Sequence, residues 1–249
     1  MYSERRVICL NQSKKVTLFL VEGVTDETAF GLIMSKIIEE KKVLRFKIIG
    51  GDITTSQGTN GMNCINRVVD QIKDFLAQDM YQKSDLIEII HLVDLDGAFI
   101  SKNHVVYDQE RLATGTHIYY TLDDIITDHM DGVLNRNHQK AEVLEKLIST
   151  KELFGKLPYQ IYYFSCNLEH VLFCNQNLDD SLKYEYVKEF VDRYVDHPKE
   201  FIMFMNSEDL ASSDNYDASW EQVIQKEESL KRHSNFHIYL NQYVKNVLK

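Results

Sequence analysis

The first hundred residues alternate between short apolar runs and longer stretches with helical periodicity, and this alternation limits the possible folds. Apolar runs at residues 16–21, 45–50 and 86–93 are typical of buried strands. Residues 25–42 and 62–80 lie between them and repeat apolar side chains every three to four positions, as an amphipathic helix does. Because such an order is built with right-handed crossovers, it predicts an α/β fold with a central parallel sheet of about four strands and helices on both faces.

The chain beyond residue 100 is less regular. Residues 119–134 and 138–154 have a pattern that predicts helices, and residues 159–165 predict one more strand. From residue 178 onwards the pattern is mostly helical. The segment 50–61, rich in Gly, Thr and Asn, is typical of a loop.

Length and composition bound the domain organisation. A chain of 249 residues with 44% hydrophobic side chains can bury one substantial core, and its 2 prolines and 10 glycines mark no linker. We predict an α/β domain over residues 1–177, with an insertion at about 99–158, and a mostly helical C-terminal extension over 178–249. No apolar run approaches the ~20 residues that cross a bilayer, so we expect a cytoplasmic protein with no membrane partner.

Acidic side chains follow two of the predicted strands. Glu22 comes directly after the first strand, and Asp94 and Asp96 follow the third. Asp26 lies one helical turn beyond Glu22. Because the carboxyl ends of parallel strands meet at one edge of a sheet, we expect these carboxylates to converge. Hard divalent cations, Mg²⁺ or Mn²⁺, are the ordinary compensation for such a cluster, since they prefer oxygen ligands.

Simpler explanations exist for some of these acids. Asp26 and Glu27 would complement the positive end of a helix, an effect of ~0.3–1 kcal/mol each. Asp96 and Gly97 form a dipeptide that is common in turns. Glu22 has no such explanation, because an ionised group at the end of an apolar strand costs several kcal/mol unless it is exposed or paired.

Charge and loop motifs exclude several classes of function. A net charge of -10 argues against non-specific electrostatic binding of the nucleic-acid backbone, although metal ions can bridge carboxylates to phosphate. The loop at residues 50–61 lacks the Gly-Lys-Ser/Thr ending of a P-loop. The segment 94–105 begins like an EF-hand loop but lacks its Gly and its final Glu.

The order of these acidic motifs resembles a known family. A strand that ends in Glu22 with Asp26 in ExxxD spacing, followed by a strand that ends in Asp94-x-Asp96, resembles the Toprim domain of primases, topoisomerases and OLD-family nucleases. Small Toprim nucleases of the abortive-infection, RloB-like kind are similar further on, where a strand leads to a Ser/Asn turn and a helix with a Glu. The matching positions here are Ser165, Asn167 and Glu169.

The resemblance covers roughly the first 175 residues and departs from OLD-family nucleases in two respects. Those nucleases carry a Lys near the end of the domain. Lys183 is a candidate for it here, but no motif in this sequence identifies the equivalent position. They also carry an ATPase domain, and this chain contains no P-loop for one. An ABC-type ATPase would therefore be a separate partner protein.

The resemblance implies a Toprim-like (Rossmann-like) sheet and metal-dependent hydrolysis of phosphodiester bonds in DNA or RNA. Mg²⁺ or Mn²⁺ held by Glu22, Asp94 and Asp96, with Asp26 assisting, would activate a water and neutralise the leaving oxygen. Glu22 would alternatively act as a general acid or base, and Glu169 belongs to the implied catalytic set. The resemblance also implies a homo-oligomer and an anti-phage effector that stays silent until a partner or trigger releases it.

Two other functions compete with this interpretation. The segment 91–99 also resembles motif I of haloacid-dehalogenase-type phosphatases, with Asp94 as the phosphorylated nucleophile and Asp96 as the acid/base. That alternative leaves Glu22 and Asp26 without a role. Its remaining positions would be Ser165, Lys183, Asp209 and Asp214. The other competitor is a Toprim-like subunit without catalysis that binds a partner or a ligand.

Overall fold

A five-stranded sheet forms the centre of the protein in the computed structural model, which describes residues 15–38 and 42–243. Its strands are β1 (Val16–Val21), β2 (Val43–Ile48), β3 (Leu86–Asp94), β7 (Glu152–Leu153) and β8 (Leu157–Phe164). A smaller sheet contains β4 (Val105–Tyr107), β5 (Ile118–Tyr120) and β6 (Ile125–Thr127). The helices are α1 (Val24–Ile37), α2 (Cys64–Gln78), α3 (Arg111–Thr114), α4 (Met130–Ser149), α5 (Leu168–Phe173), α6 (Asp180–Tyr194), α7 (Pro198–Met205), α8 (Tyr216–Gln225) and α9 (Phe236–Leu240).

The order of strands in the main sheet is β2-β1-β3-β8-β7. The first four are mutually parallel, and the short β7 pairs with β8 in the antiparallel direction at one edge. The predicted α/β class, with a central and mostly parallel sheet flanked by helices, is therefore confirmed. None of the helices in the described ranges is long and apolar enough to cross a membrane.

Both faces of the sheet are buried because successive side chains of each strand point to opposite sides. Phe19 and Val21 of β1 pack in one cluster with α1, whereas Leu18 and Leu20 pack in another with α2. Helices beyond residue 178 contribute to both clusters: α6, α7 and α9 to the first, and α8 to the second. The boundary at residue 177 stays a prediction.

The helix predicted over residues 119–134 is wrong in its first part. Residues 125–127 form β6, which pairs with β4 in parallel and with β5 in the antiparallel direction. The β-branched side chain of Ile125 is fully buried in a third cluster with Val105 and Val133. Burial of that side chain between a sheet and α4 outweighs the helical spacing of its neighbours.

This third cluster also restricts the turn that follows β3. Gly97 adopts φ +71, and a Cβ atom there would lie 2.9 Å from Cδ1 of Ile125 and 2.9 Å from Cδ2 of Leu230. Glycine is thus required both by the left-handed backbone and by the close approach of two buried side chains.

Replacing Gly97 by Ala is expected to lower the free energy of unfolding by about 2–4 kcal/mol, from backbone strain and overpacking together. Gly115→Ala is the matched control, because Gly115 has the same φ of +71 and no atom within 4 Å of the added Cβ. Urea denaturation of both variants measures the difference. Equal losses in the two variants would show that the packing around Gly97 contributes nothing.

Candidate functional site

The carboxyl ends of β1 and β3 lie where the order of strands reverses. From β1 the chain crosses to β2 on one side, and it later enters β3 on the other side of β1. Ligand sites of open parallel sheets lie at such a point. The structure places Glu22 directly after β1 and Asp94 at the end of β3, and the amide of Asp94 donates to Oε1 of Glu22 at 3.3 Å. The two acids therefore lie side by side.

Glu22 and Asp94 destabilise each other as anions. Burial raises the pKa of Glu22 well above its usual range, and the Asp52 carboxylate raises it further. Burial also raises the pKa of Asp94 well above its usual range, and the charge of Glu22 has the next largest effect in the same direction. Among the described residues, Oδ1 of Asp94 has no hydrogen-bond partner although it is buried. Without an added cation, these two carboxyl groups therefore favour the protonated form.

Asp26 and Glu169 form the side of the site nearest α1. Oδ2 of Asp26 accepts the amide of Gly23 at 3.0 Å, so Asp26 does cap the helix, as the simpler explanation predicts. Burial, with a smaller contribution from Glu169, raises the pKa of Asp26 to about 6 against the effect of this hydrogen bond. Glu169 is buried on α5 and lies 3.0 Å from Nζ of Lys183 on α6. Lys183 thus brings a positive charge to this side.

Asp96 faces a different cation. Nζ of the fully buried Lys140, on α4, lies 2.6 Å from Oδ2 of Asp96 and 2.7 Å from Oδ2 of Asp52. Burial by itself would lower the pKa of Lys140, but Asp96 and Asp52 raise it well above its usual range. Burial would raise the pKa of Asp52, yet Lys140 lowers it to about 2. One charged ammonium group therefore joins the loop at residues 50–61 to the turn after β3.

Helix α4 also holds the main chain of that turn. Nη2 of Arg136 donates to the carbonyl of Asp96 at 2.8 Å, and Nδ2 of Asn137 donates to the carbonyl of Gly97 at 3.2 Å. Nη1 of Arg136 donates to the hydroxyl of Tyr120 at 2.9 Å, and that hydroxyl donates to Oδ1 of Asp96 at 3.3 Å. Both oxygens of the Asp96 carboxylate are thus oriented by fixed partners.

Other residues from the sequence motifs have structural contacts. The Ser165 hydroxyl donates to a loop carbonyl at 3.0 Å, and Asn167 caps α5 by accepting a main-chain amide at 2.9 Å. Asp214 is 92% exposed and lies 3.4 Å from Nε2 of His237. Asp214, one of the acids of the phosphatase alternative, is not among the carboxylates that shift the pKa of Asp94.

Similarity to known proteins assigns nothing further to this site. No family model, curated protein or solved structure matches the chain significantly. The chemistry of the site therefore rests on its own residues.

The residues present are compatible with a divalent cation. In the part of the chain that the structure describes, no group of three His, Cys, Asp or Glu side chains is arranged so that it could bind one metal ion. Lys140 and Tyr120 bind the two oxygens of Asp96, so Asp96 would become a ligand by exchanging one of these partners for the ion. The buried and unpartnered Oδ1 of Asp94, beside Glu22, is the atom that a cation would satisfy.

Two residues of the site did not emerge from the sequence patterns. Asp52 follows β2, so the placement argument that selected Glu22 and Asp94 applies equally to it. Lys140 gives no such signal, because a Lys within a helix of mixed polarity is typical of a solvated face. Its complete burial depends on tertiary packing alone.

Proposed function

We propose that this protein is a metal-dependent nuclease with a Toprim-like domain, which hydrolyses phosphodiester bonds of DNA or RNA. The observation that carries the proposal is the pair Glu22 and Asp94, adjacent at the reversal point of the sheet, with raised pKa values and a buried oxygen that lacks a partner. A catalytic carboxylate pair that is unstable as two anions is suited to a site completed by a divalent cation.

Each acid has a distinct role in this proposal. Glu22, Asp94 and Asp96 would hold Mg²⁺ or Mn²⁺, and Asp26 would assist from the first turn of α1. When bound, such an ion lowers the pKa of a water and neutralises charge on the phosphate. Glu169 contributes through Asp26, whose pKa it raises.

The biological setting is proposed by resemblance to Toprim nucleases. It comprises an anti-phage, abortive-infection effector in the cytoplasm that assembles as a homo-oligomer. A separate ABC-type ATPase would act as its partner. The nuclease would stay silent until a partner or a phage trigger releases it, because an unregulated nuclease harms its own cell. These elements follow from the family resemblance, whereas the proposed chemistry follows from the residues of the site.

The proposal is tested by replacing Asp94 with Asn, which removes one ligand and one charge with little change of shape. We expect Asp94→Asn to lose metal-dependent cleavage of single-stranded DNA, duplex DNA and tRNA in a panel assayed with Mg²⁺ and Mn²⁺. We also expect calorimetry with Mn²⁺ to show weakened binding. Equal Mn²⁺ binding in the wild type and the variant would reject the assignment of Asp94 as a ligand.

Asp94→Asn is expected to lose activity but to gain stability, and the size of this gain depends on pH. In EDTA, Asp94→Asn is expected to be more stable than the wild type at pH 8 by about 1–3 kcal/mol, since a buried carboxylate without a partner is removed. The folded wild type holds protons on Asp94 and Glu22 that the unfolded chain releases, so its stability falls as pH rises above the unfolded pKa of about 4. The advantage of the variant should therefore shrink towards pH 5 in thermal denaturation.

A further inference from the structure

A cavity of about 720 Å³ lies at the carboxyl end of β2, with Asp52 in its wall. Its walls include Gly50, Gly51, Asp52 and Ser56 from the loop, and Arg67 and Gln71 from α2. The amide of Gly51 donates to the carbonyl of Glu22 at 3.1 Å. The wall of the cavity is thus attached directly to the main chain of the catalytic Glu.

One cation in the walls of this cavity has no carboxylate partner among the described residues. Asp52 shares the ammonium group of Lys140 with Asp96, at 2.7 Å and 2.6 Å, and Asp70 forms an exposed ion pair with Lys73 at 2.9 Å. Within the described ranges, no carboxylate lies within 4.0 Å of Arg67. A guanidinium group without an acidic partner, in a chain of net charge -10, favours an anionic ligand.

Arg67 is positioned by the loop that faces it. Its Nη2 donates to the carbonyl of Gln57 at 3.1 Å, and its Nη1 lies 3.4 Å from the hydroxyl of Ser56. The guanidinium carries five N–H groups, so it retains further donors that can bind two oxygens of one anion. A phosphate group matches this geometry.

The loop leaves its backbone open beside this guanidinium. Gly50 and Gly51 have φ of +78 and +124, and a Cβ atom on either would meet no other atom within 4 Å. Glycine is needed at these positions for conformation, and the space next to the main chain is vacant for a ligand. Ile49 and Ile53 add apolar wall, which suits a sugar or a base better than phosphate alone.

We propose that this cavity binds one nucleotide unit of the substrate strand, held through its phosphate by Arg67. The cavity volume lies within the range of pockets that enclose a ligand of this size. Asp52, Lys140 and Asp96 connect the cavity to the carboxylates through one ammonium group, so the bound unit neighbours the phosphodiester that is hydrolysed. This inference rests on the proposed nuclease function.

The test measures binding to the full chain in EDTA, where metal-dependent hydrolysis does not consume the probe. The probes are fluorescein-labelled ten-nucleotide single strands of DNA and RNA, followed by anisotropy, and free 5′-AMP, followed by calorimetry. Arg67→Gln is expected to weaken binding of the strands about tenfold to hundredfold. It should also lower the slope of log affinity against log salt concentration by about 0.7, the value for one lost phosphate contact on a single strand.

Two control variants separate charge from structure. Arg193→Gln removes the same charge from α6, on the opposite face of the sheet, and should leave affinity and salt slope unchanged. Arg67→Lys retains the charge and should retain most of the salt slope. If the slope of log affinity against log salt concentration falls as much in Arg67→Lys as in Arg67→Gln, Arg67 acts only by holding the loop at residues 50–61 in place. That result would overturn the inference.

The remaining outcomes also decide the question. Binding of 5′-AMP that depends on Arg67, without binding of either strand, would overturn the assignment to the substrate strand in favour of a free nucleotide. If Arg67→Gln and the wild type bind the strands equally, the proposed nucleotide-binding role of the cavity is rejected. Cleavage by the wild type would still support the proposed nuclease function in that case. If strand binding depends on Arg67 but the wild type cleaves no nucleic acid with Mg²⁺ or Mn²⁺, the strand-binding role of the cavity is supported and the nuclease function is rejected.

Discussion

Replacing Glu22 by Ala is expected to reduce metal-dependent cleavage of nucleic acid on the order of 10²-fold or more. The Glu22 carboxyl lies against the amide of Asp94 at the reversal point of the sheet, so its loss removes either a metal ligand or an acid/base group. Initial rates on a labelled oligonucleotide, with Mg²⁺ and with Mn²⁺, measure the effect. In cells, the same variant should remove any toxicity of the active protein.

Glu27→Ala is the matched control for this experiment. Glu27 lies in the first turn of α1, five residues beyond Glu22, and is not among the groups that shift the pKa of Asp94. Its removal should change the cleavage rate by less than about threefold, since surface substitutions away from a site have small effects. A comparable loss in both variants would point to the fold of α1 and not to the chemistry of Glu22.

The phosphatase alternative makes the opposite prediction for Glu22→Ala. There Asp94 alone forms the covalent intermediate, so Glu22 is a neighbour and its loss is tolerated. Full activity of Glu22→Ala on phosphate esters, together with a beryllofluoride-trapped species at Asp94, would replace the nuclease proposal. A wild type that acts on neither nucleic acid nor phosphate esters, with its partner present, would favour the binding subunit.

The central sheet was predictable because its signals are local. The apolar runs at residues 16–21 and 86–93 are short and rich in β-branched side chains, as is typical of strands buried on both faces, and the segments between them have helical periodicity. The placement of Glu22 and Asp94 at one edge then follows from parallel strands alone. These two inferences need no knowledge of distant contacts.

The small sheet and the internal cation were not predictable for the opposite reason. Ile125 belongs to β6 only because Val105 and Val133, distant in the chain, form a cluster around it. Lys140 is buried only because Asp52 and Asp96, from two separate loops, converge on its ammonium group. Periodicity within α4 contains no information about either loop.

Lys140 is expected to be the residue whose loss costs the metal-free protein the most stability within the site. Lys140→Met keeps the length and the apolar stem of the side chain but leaves Asp52 and Asp96 without their cation. These carboxylates are 15% and 23% exposed, so water offsets little of their mutual repulsion. We expect the free energy of unfolding in EDTA at pH 7 to fall by about 3 kcal/mol. Lys146→Met, exposed on the same helix, should change it by no more than about 0.5 kcal/mol.

The pH dependence of this loss follows from Asp52. Lys140 holds the pKa of Asp52 at about 2, below its unfolded value of about 3.9, so this stabilisation is present above pH 4 and is lost as pH falls through 2. The difference between wild type and Lys140→Met in urea denaturation should therefore be constant from pH 7 down to about 4 and narrow as pH falls from 4 towards 2. Saturating Mn²⁺ should raise the melting temperature of Lys140→Met more than that of the wild type, because a divalent cation replaces the missing charge beside Asp96. A variant as stable as the wild type at pH 7 in EDTA would show that the ammonium group does not hold these carboxylates together.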